Sequence, residues 1–287
     1  MIQSSNRDKI SVFGSTGFIG GSFCNMFREA CVPIDRESRE PRTKSVLYFI
    51  STTDNFNIFE DPQKDIDTNL KVLVETLQNC KDSNITFNFI SSWYVYGDVD
   101  LPAREDSECS PRGFYSITKK CAEDLLISFC KTFNIKYRIL RLGNVYGRSD
   151  TNASKKKNAL QFLTERLIND EPIHLYDGGS FTRDYIHVND ACRAINKIIH
   201  DGQINAVYNV GSGVEYTFSD LIDIVKKHVG STSIIESKPT PNTYAYSQVN
   251  NMCLDTSMLS ELGFKCSIAI DDGIIDMCNK LKAGLND

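Results

Sequence analysis

A doubly wound parallel α/β sheet followed by a smaller α/β lobe is the fold class that this 287-residue sequence predicts. Three observations point to it. Short apolar runs alternate with longer helical stretches through the first half of the chain, a glycine-rich turn joins the first run to the first helix, and the texture changes after about residue 145.

Taken in order, residues 9–13 (KISVF) suit a buried strand, and residues 18–30 suit the helix that follows. Residues 31–34 give a second strand and residues 46–50 (VLYFI) a third. Residues 66–80 place Leu70, Leu73, Val74 and Leu77 on one helical face. Residues 87–90 and 137–142 (YRILRL) read as strands on either side of a long helix over 115–133. Beyond residue 145, helices are expected at 159–168, 188–200, 218–229, 256–262 and 270–281, with short strands at 173–176 and 207–210. The expected division is residues 1–150, with 188–212 contributing, as one domain, and residues 151–287 mainly as the second lobe.

Composition narrows the function classes. The formal charge of −5 argues against a protein that coats nucleic acid or an anionic membrane surface. No stretch approaches 18 apolar residues and the first residues carry no apolar segment, so a cytoplasmic protein is expected. Ten cysteines lie scattered with no C-x-x-C spacing and do not cluster with the four histidines, so no metal site is expected.

The turn Gly14-Ser15-Thr16-Gly17-Phe18-Ile19-Gly20 directly follows the first strand and opens the first helix. Glycines there permit a tight turn and let backbone N–H groups approach a pyrophosphate, which the helix N-terminus also favours. The pattern therefore points to a dinucleotide such as NAD or NADP. Asp35 could bind a ribose 2′-hydroxyl, whereas Arg36, Arg39, Arg42 and Lys44 could neutralise a 2′-phosphate. A solvated loop paired through Glu37 and Glu40 explains the same residues, and the balance tilts only slightly to NAD.

Tyr115 and Lys119 stand four apart on one helical face. A phenol with a pKa of ~10 is a weak base at neutral pH, but neighbouring positive charge favours the phenolate. Ser92, at the end of the strand over 87–90, falls at the carboxyl edge where ligands sit in such sheets. The three together suit proton and hydride chemistry at an alcohol or ketone.

Several segments then resemble one family, the extended short-chain dehydrogenases/reductases of the nucleotide-sugar epimerase/dehydratase group. They are the glycine turn; Ile90-Ser-Ser-Trp-Tyr-Val-Tyr-Gly97; Tyr115 with Lys119; and Arg138-Ile-Leu-Arg-Leu-Gly-Asn-Val-Tyr-Gly147. Asp177-Gly-Gly-Ser-Phe-Thr-Arg-Asp-Tyr-Ile-His-Val188, Tyr208-Asn-Val-Gly-Ser-Gly213 and Leu254-Asp-Thr-Ser continue it. The resemblance implies a Rossmann-type sheet, a nucleotide-diphosphate sugar as substrate and a homodimer built on the Tyr115 helix and the one before it. It implies Tyr115 as base, Lys119 as its partner on the nicotinamide ribose, and Ser92 as the third catalytic group. It further implies that Asn144, Asn158 and Leu160 contact the substrate and that Arg183 pairs with the diphosphate, where a planar guanidinium suits phosphate oxygens. A salt bridge from Arg183 to Asp184 or Asp190 is the competing explanation, and His187 reads as structural.

Three departures from that family stand out. Only residues 36–45 separate the second strand from Val46, so the usual third strand and its helix are missing and the sheet is shortened. Trp93 and Tyr94 follow Ser92 where the 4,6-dehydratases of the family carry Asp and Glu. Two bulky rings there should narrow the sugar pocket, and neither can shuttle protons as a carboxylate does. Lys238 stands where a second diphosphate arginine is usual; Arg148 and the lysines at 155–157 are other phosphate neighbours, or simply wet. The expected activity is reversible hydride transfer at a sugar carbon, most often C4, in an NAD(P)-dependent epimerase. An NADPH-dependent 4-ketoreductase is the alternative, and a non-catalytic dinucleotide-binding regulator is a third reading.

Overall fold

The computed structural model describes residues 9–53, 57–81, 84–147, 158–242, 246 and 249–284. Its centre is a six-stranded, wholly parallel sheet of the Rossmann kind in the order β2-β1-β3-β4-β5-β9. The strands are β1 (Ile10–Phe13), β2 (Cys31–Pro33), β3 (Ser45–Tyr48), β4 (Thr86–Ser92), β5 (Lys136–Leu142) and β9 (Ala206–Val210). Because β1 lies between β2 and β3, the winding reverses there, and the crevice that such a reversal opens lies beyond the carboxyl ends of β1 and β3.

β2 is an edge strand, and no further strand pairs with it among the described residues. The shortened connection is pinned directly to β1. Ser11 Oγ accepts the N–H groups of Arg42 and Thr43, both at 2.9 Å, and Thr43 Oγ1 accepts the N–H of Ser11 at 2.8 Å. Buried polar groups that a longer connection would otherwise have to satisfy are thus paired within the loop.

Apolar faces close both sides of the sheet. Helix α1 (Phe18–Met26) and α6 (Val188–Asp201) cover one face, burying Phe23, Ala191, Ile195 and Ile198 against Val12, Leu140 and Val210. On the other face lie α2 (Gln63–Ile66), a π-helical turn over Asp67–Lys71, α3 (Val72–Gln78) and the long α4 (Phe114–Thr132). Leu73, Leu77, Ala122 and Leu126 pack there on Val46, Phe87 and Ile139. Burial of this kind contributes roughly 25 cal/mol per Å² and is what holds helices of such modest length in place.

The rest of the chain builds a second cluster. β6 (Asn144–Tyr146), β8 (Thr182–His187) and β10 (Glu215–Thr217) form a three-stranded sheet, and β7 (Ile173–Tyr176) pairs in parallel with β11 (Ile235–Lys238). Helices α5 (Ala159–Ile168), α7 (Phe218–Val229) and α9 (Ile270–Gly284) pack around Leu167, Leu221, Ile274 and Met277, with a short α8 (Ser257–Glu261) beside β9. No helix of the described residues is long and apolar enough to cross a membrane.

Candidate active site

The glycine turn leaves β1 at Gly14, whose φ of +76° is one that only glycine adopts without strain. Gly20 allows α1 to press onto the turn, since a Cβ there would fall 2.2 Å from the carbonyl oxygen of Gly14. Gly17 caps α1 without a side-chain hydrogen bond, and the first turn of the helix carries no acidic residue. The early N–H groups of α1 therefore remain for an outside acceptor, and the cradle fits a pyrophosphate.

At the far end of β2 the polar residues are largely committed to one another. Asp35 is exposed and paired with Arg42 at 3.2 Å. Arg39 reaches Glu75 on α3 at 3.1 Å and donates to the carbonyls of Arg36 and Ser38. Arg36 is exposed.

Ser92 ends β4, two strands from the glycine turn, and its hydroxyl accepts the N–H of Tyr94 at 3.3 Å. Tyr115 and Lys119 project from the first turns of α4, and both are buried, Lys119 with only 2% of its surface exposed. The hydroxyls of Ser92 and of Ser51, which follows β3, both favour the ionised form of the Tyr115 phenol. Burial pushes this phenol up to about 12, against the opposing pull of those two hydroxyls. Burial likewise brings Lys119 down to about 7, opposed by the carboxylate of Glu123. The ammonium expected to favour the phenolate is thus itself disfavoured, and its Nζ lies over the Phe89 ring, 4.3 Å from the centroid. The structure brings all three expected groups together beside the crevice.

Neighbouring residues hold this cluster. Asn69, in the π-helical turn, accepts from Ser51 Oγ at 3.0 Å and from the N–H of Thr52 at 2.8 Å. Its amide donates to Thr52 Oγ1 and Thr118 Oγ1, at 2.9 and 3.0 Å. Thr118 in turn donates to the carbonyl of Tyr115. One turn below Lys119, Glu123 receives a two-pronged ion pair from Arg141 of β5, at 3.1 and 2.8 Å. Ser51 was legible by the logic that flagged Ser92, since it too follows a central strand at the carboxyl edge. Glu123 was legible by its spacing from Lys119. Asn69 had no such signal, because a polar residue inside a helical run reads as exposed.

Trp93 and Tyr94 take different places. Trp93 is buried in a cluster with Ala103, Val249, Met252 and Leu254, one ring face stacked on Tyr94 at 3.9 Å and the Arg183 guanidinium 5.0 Å from its centroid. It forms the wall behind the site rather than its lining, which corrects the expectation that both rings face the pocket. Tyr94 is half-buried and meets Tyr115 edge-on at 5.9 Å. Arg183 lies between Trp93 and Phe181, giving up its N–H groups to the carbonyls of Thr182, Val249 and Asn250. The expected competing salt bridges do not form. Asp184 accepts N–H groups from Ser212, Gly213 and Leu254, while Asp190 pairs with Arg193. Burial depresses Arg183, and no carboxylate offsets it among the described residues.

Asn144 on β6 is half-buried, with its amide 3.4 Å from the carbonyl of Asp184. Asn158 adopts a left-handed conformation (φ 55°) and caps α5. Leu160 is buried in the core of the second cluster, so only its main chain, in the first turn of α5, is free to meet a ligand. Lys238 is exposed and pairs with Glu236 at 3.4 Å. His187 caps α6 through Nδ1. Arg148 and residues 155–157 lie outside the described residues.

With this geometry in hand, the chain was compared with known proteins. The profile of the NAD dependent epimerase/dehydratase family matches residues 46–211, more than half of the sequence. The chain belongs to that family. The match starts at β3, beyond the glycine turn and the region where the sheet is a strand short. A putative UDP-glucose 4-epimerase of Methanocaldococcus jannaschii is 29% identical over 79% of this chain and 73% of its own length. A dTDP-4-dehydro-6-deoxyglucose reductase of Escherichia coli is 27% identical over 66% of this chain and 58% of its own. A dTDP-glucose 4,6-dehydratase of Streptomyces niveus is 26% identical over 66% and 55%. The chain thus spans less than two thirds of the latter two.

Solved structures share the fold. The UDP-glucose 4-epimerase of Thermotoga maritima, in complex with UDP-glucose, has a TM-score of 0.87 at 23% identity, over 96% of this chain and 99% of that one. The UDP-glucuronic acid 4-epimerase of Bacillus cereus, with UDP-glucuronic acid and NAD, has 0.87 at 22% over the same shares. The RMD protein of Pseudomonas aeruginosa, with NADPH, has 0.83 at 22%, again over 96% and 99%. Members of this fold family are therefore found bound to NAD or NADPH.

Proposed function

We propose that this family member is an NAD(P)-dependent nucleotide-sugar epimerase that inverts the sugar at C4. The observation carrying the reading is the buried Tyr115 phenol, whose ionised form the Ser92 hydroxyl favours, one helical turn from Lys119 and beside a crevice whose opposite wall is the glycine turn. Gly14–Gly20 would hold the pyrophosphate of the dinucleotide, Lys119 its nicotinamide ribose, and Asp35 or Arg36 its adenosine end. When bound, that dinucleotide supplies the hydride acceptor and donor together with a positive charge beside the phenol.

Tyr115 then takes the proton of the sugar C4 hydroxyl and returns it once the other face of the carbon is presented. Ser92 holds the same oxygen by hydrogen bond. Arg183 is the diphosphate anchor, because a buried guanidinium with no carboxylate partner among the described residues calls for an anion. The first turn of α5, capped by Asn158, offers main-chain N–H groups at Leu160 to the same diphosphate. Asn144 and Tyr94 would contact the sugar end. Dehydration is disfavoured by the side chains present, since Trp93 and Tyr94 supply no carboxylate beside Ser92.

The test is incubation of the purified protein with NAD and UDP-glucose, UDP-galactose or UDP-glucuronic acid, with the C4 configuration read by NMR. Epimerisation of one pair supports the reading, and no inversion in any of them with NAD bound would refute it. A 4-ketoreductase using NADPH is the second reading. It is favoured by the ion pair that turns Asp35 onto Arg42 and leaves Arg36 exposed at the end of β2. Mass spectrometry of the ligand released on denaturation separates the two. Co-purified NAD(H) supports the epimerase, whereas an empty site that then accepts NADPH supports the reductase.

A further inference from the structure

We infer that Tyr94 is a positioning residue, which sets the Tyr115 phenol and the Ser92 hydroxyl relative to each other through one ring contact and one main-chain hydrogen bond. The inference deepens the epimerase reading and rests on its assignment of Tyr115 as the proton-transfer group. Tyr94 is the second residue of the 3₁₀ turn Trp93–Val95, which Ser92 caps directly after β4. Its N–H donates to Ser92 Oγ at 3.3 Å. Its ring meets the Tyr115 ring edge-on, with centroids 5.9 Å apart and planes at 85°. One residue thus touches both hydroxyl-bearing residues, although they come from different elements, β4 and α4.

The ring can set a position only if it is itself fixed, and the stack behind it does this. Tyr94 lies flat on Trp93, with centroids 3.9 Å apart and planes at 22°. Trp93 is buried among Ala103, Val249, Met252 and Leu254, so it cannot yield toward the interior without overlap. The Arg183 guanidinium also lies against Trp93, pinned by its bonds to the carbonyls of Val249 and Asn250 and by the Phe181 ring. Tyr115, leaving the first turn of α4, therefore meets a wall that packing holds still, and that contact sets its phenol. The hydrogen bond acts on Ser92 in the same sense. With one lone pair of Oγ taken by the Tyr94 N–H, the serine's own proton points away from the turn and can be donated to a sugar oxygen. Proton transfer depends steeply on geometry, and a misplacement of about 1 Å costs roughly 10²-fold.

Leucine and phenylalanine at position 94 both keep the N–H, so these substitutions test the ring alone. With the dinucleotide bound and the nucleotide sugar varied, Tyr94→Leu should lose roughly 10²-fold in kcat for C4 inversion, with a far smaller change in KM. Trp93 still walls Arg183 in that variant, so the seat for the diphosphate is kept. Tyr94→Phe, which restores the flat ring, should recover most of the loss. A parental kcat in Tyr94→Leu, or a loss that falls on KM instead, would overturn the inference. So would an equal loss in Tyr94→Phe, which assigns the effect to the Tyr94 hydroxyl. A second readout needs no turnover. Protein labelled with Cζ-13C tyrosine, in excess NAD, gives a Tyr115 resonance assigned by its loss in Tyr115→Phe. That resonance should be one narrow line in the parent and in Tyr94→Phe, and should broaden or split in Tyr94→Leu as the phenol takes several places. An equally narrow line in Tyr94→Leu would overturn the inference. If no sugar is inverted, the epimerase reading fails and the line alone decides the role of Tyr94.

Discussion

At the scale of single residues, the site is a set of groups kept out of water against their own preference. Lys119 has its proton affinity lowered to about 7 by burial, whereas an unfolded lysine titrates near 10.5. Between those values the unfolded chain binds more protons than the folded one, so stability rises with pH across that window. The destabilisation is complete below about pH 7 and fades as pH rises to 10.5. Lys119→Met should therefore be more stable than the parent at pH 7 by roughly 4 kcal/mol. The gap should close toward pH 10.5, as read by urea denaturation across pH. A constant gap would show that Lys119 keeps its ordinary titration when folded. Such a variant trades the group that would hold the nicotinamide ribose for stability, a conflict typical of functional sites.

Elements set where these residues stand. The 3₁₀ turn Trp93–Val95 after β4 turns the Trp93 ring inward, and that ring makes one side of the slot that holds Arg183. Phe181, stacked on Phe218 at 5.2 Å, makes the other side. Trp93→Ala should cost about 3–5 kcal/mol of stability, measured by denaturant unfolding, because a large buried ring is lost from a packed cluster. The same change should weaken binding of a nucleoside diphosphate by calorimetry, since Arg183 loses one wall. Unchanged affinity would separate Arg183 from Trp93. The strand ends and helix starts were readable because each obeys one period over several residues: α5 and α7 fall on the expected ranges, and β1, β4 and β5 within a few residues of them. The short strands β6, β8 and β10 were not. Thr182–His187 mixes polar and apolar residues whose burial is decided by partners more than 30 residues away. The π-helical turn was invisible for a related reason, as Asn69 is buried by bonds to Ser51, Thr52 and Thr118 rather than by its own hydrophobicity.

Across the whole molecule, the glycine turn and the proposed catalytic trio belong to the six-stranded sheet and its helix α4, and Arg183 and the α5 N-terminus belong to the second cluster. A ligand touching Arg183 and Tyr115 would tie the two together, and its binding energy adds to folding stability. A nucleoside diphosphate should raise the melting temperature of the parent in a concentration-dependent way, and Arg183→Gln should abolish the rise. A rise retained in Arg183→Gln would place the diphosphate elsewhere. The spacing of residues 36–45 foretold the missing strand, and the structure shows how β1 tolerates it, through Ser11 and Thr43. The pairing of Asp35 with Arg42 could not be read ahead, because surface ion pairs depend on the path of a loop. The most direct test of the account follows C4 inversion of the nucleotide sugar by NMR for the parent and for Tyr115→Phe, both loaded with the dinucleotide. A loss of roughly 10²–10⁴-fold in the variant, with the dinucleotide still bound, is the predicted result. Inversion at the parental rate without the phenolic hydroxyl would contradict the account.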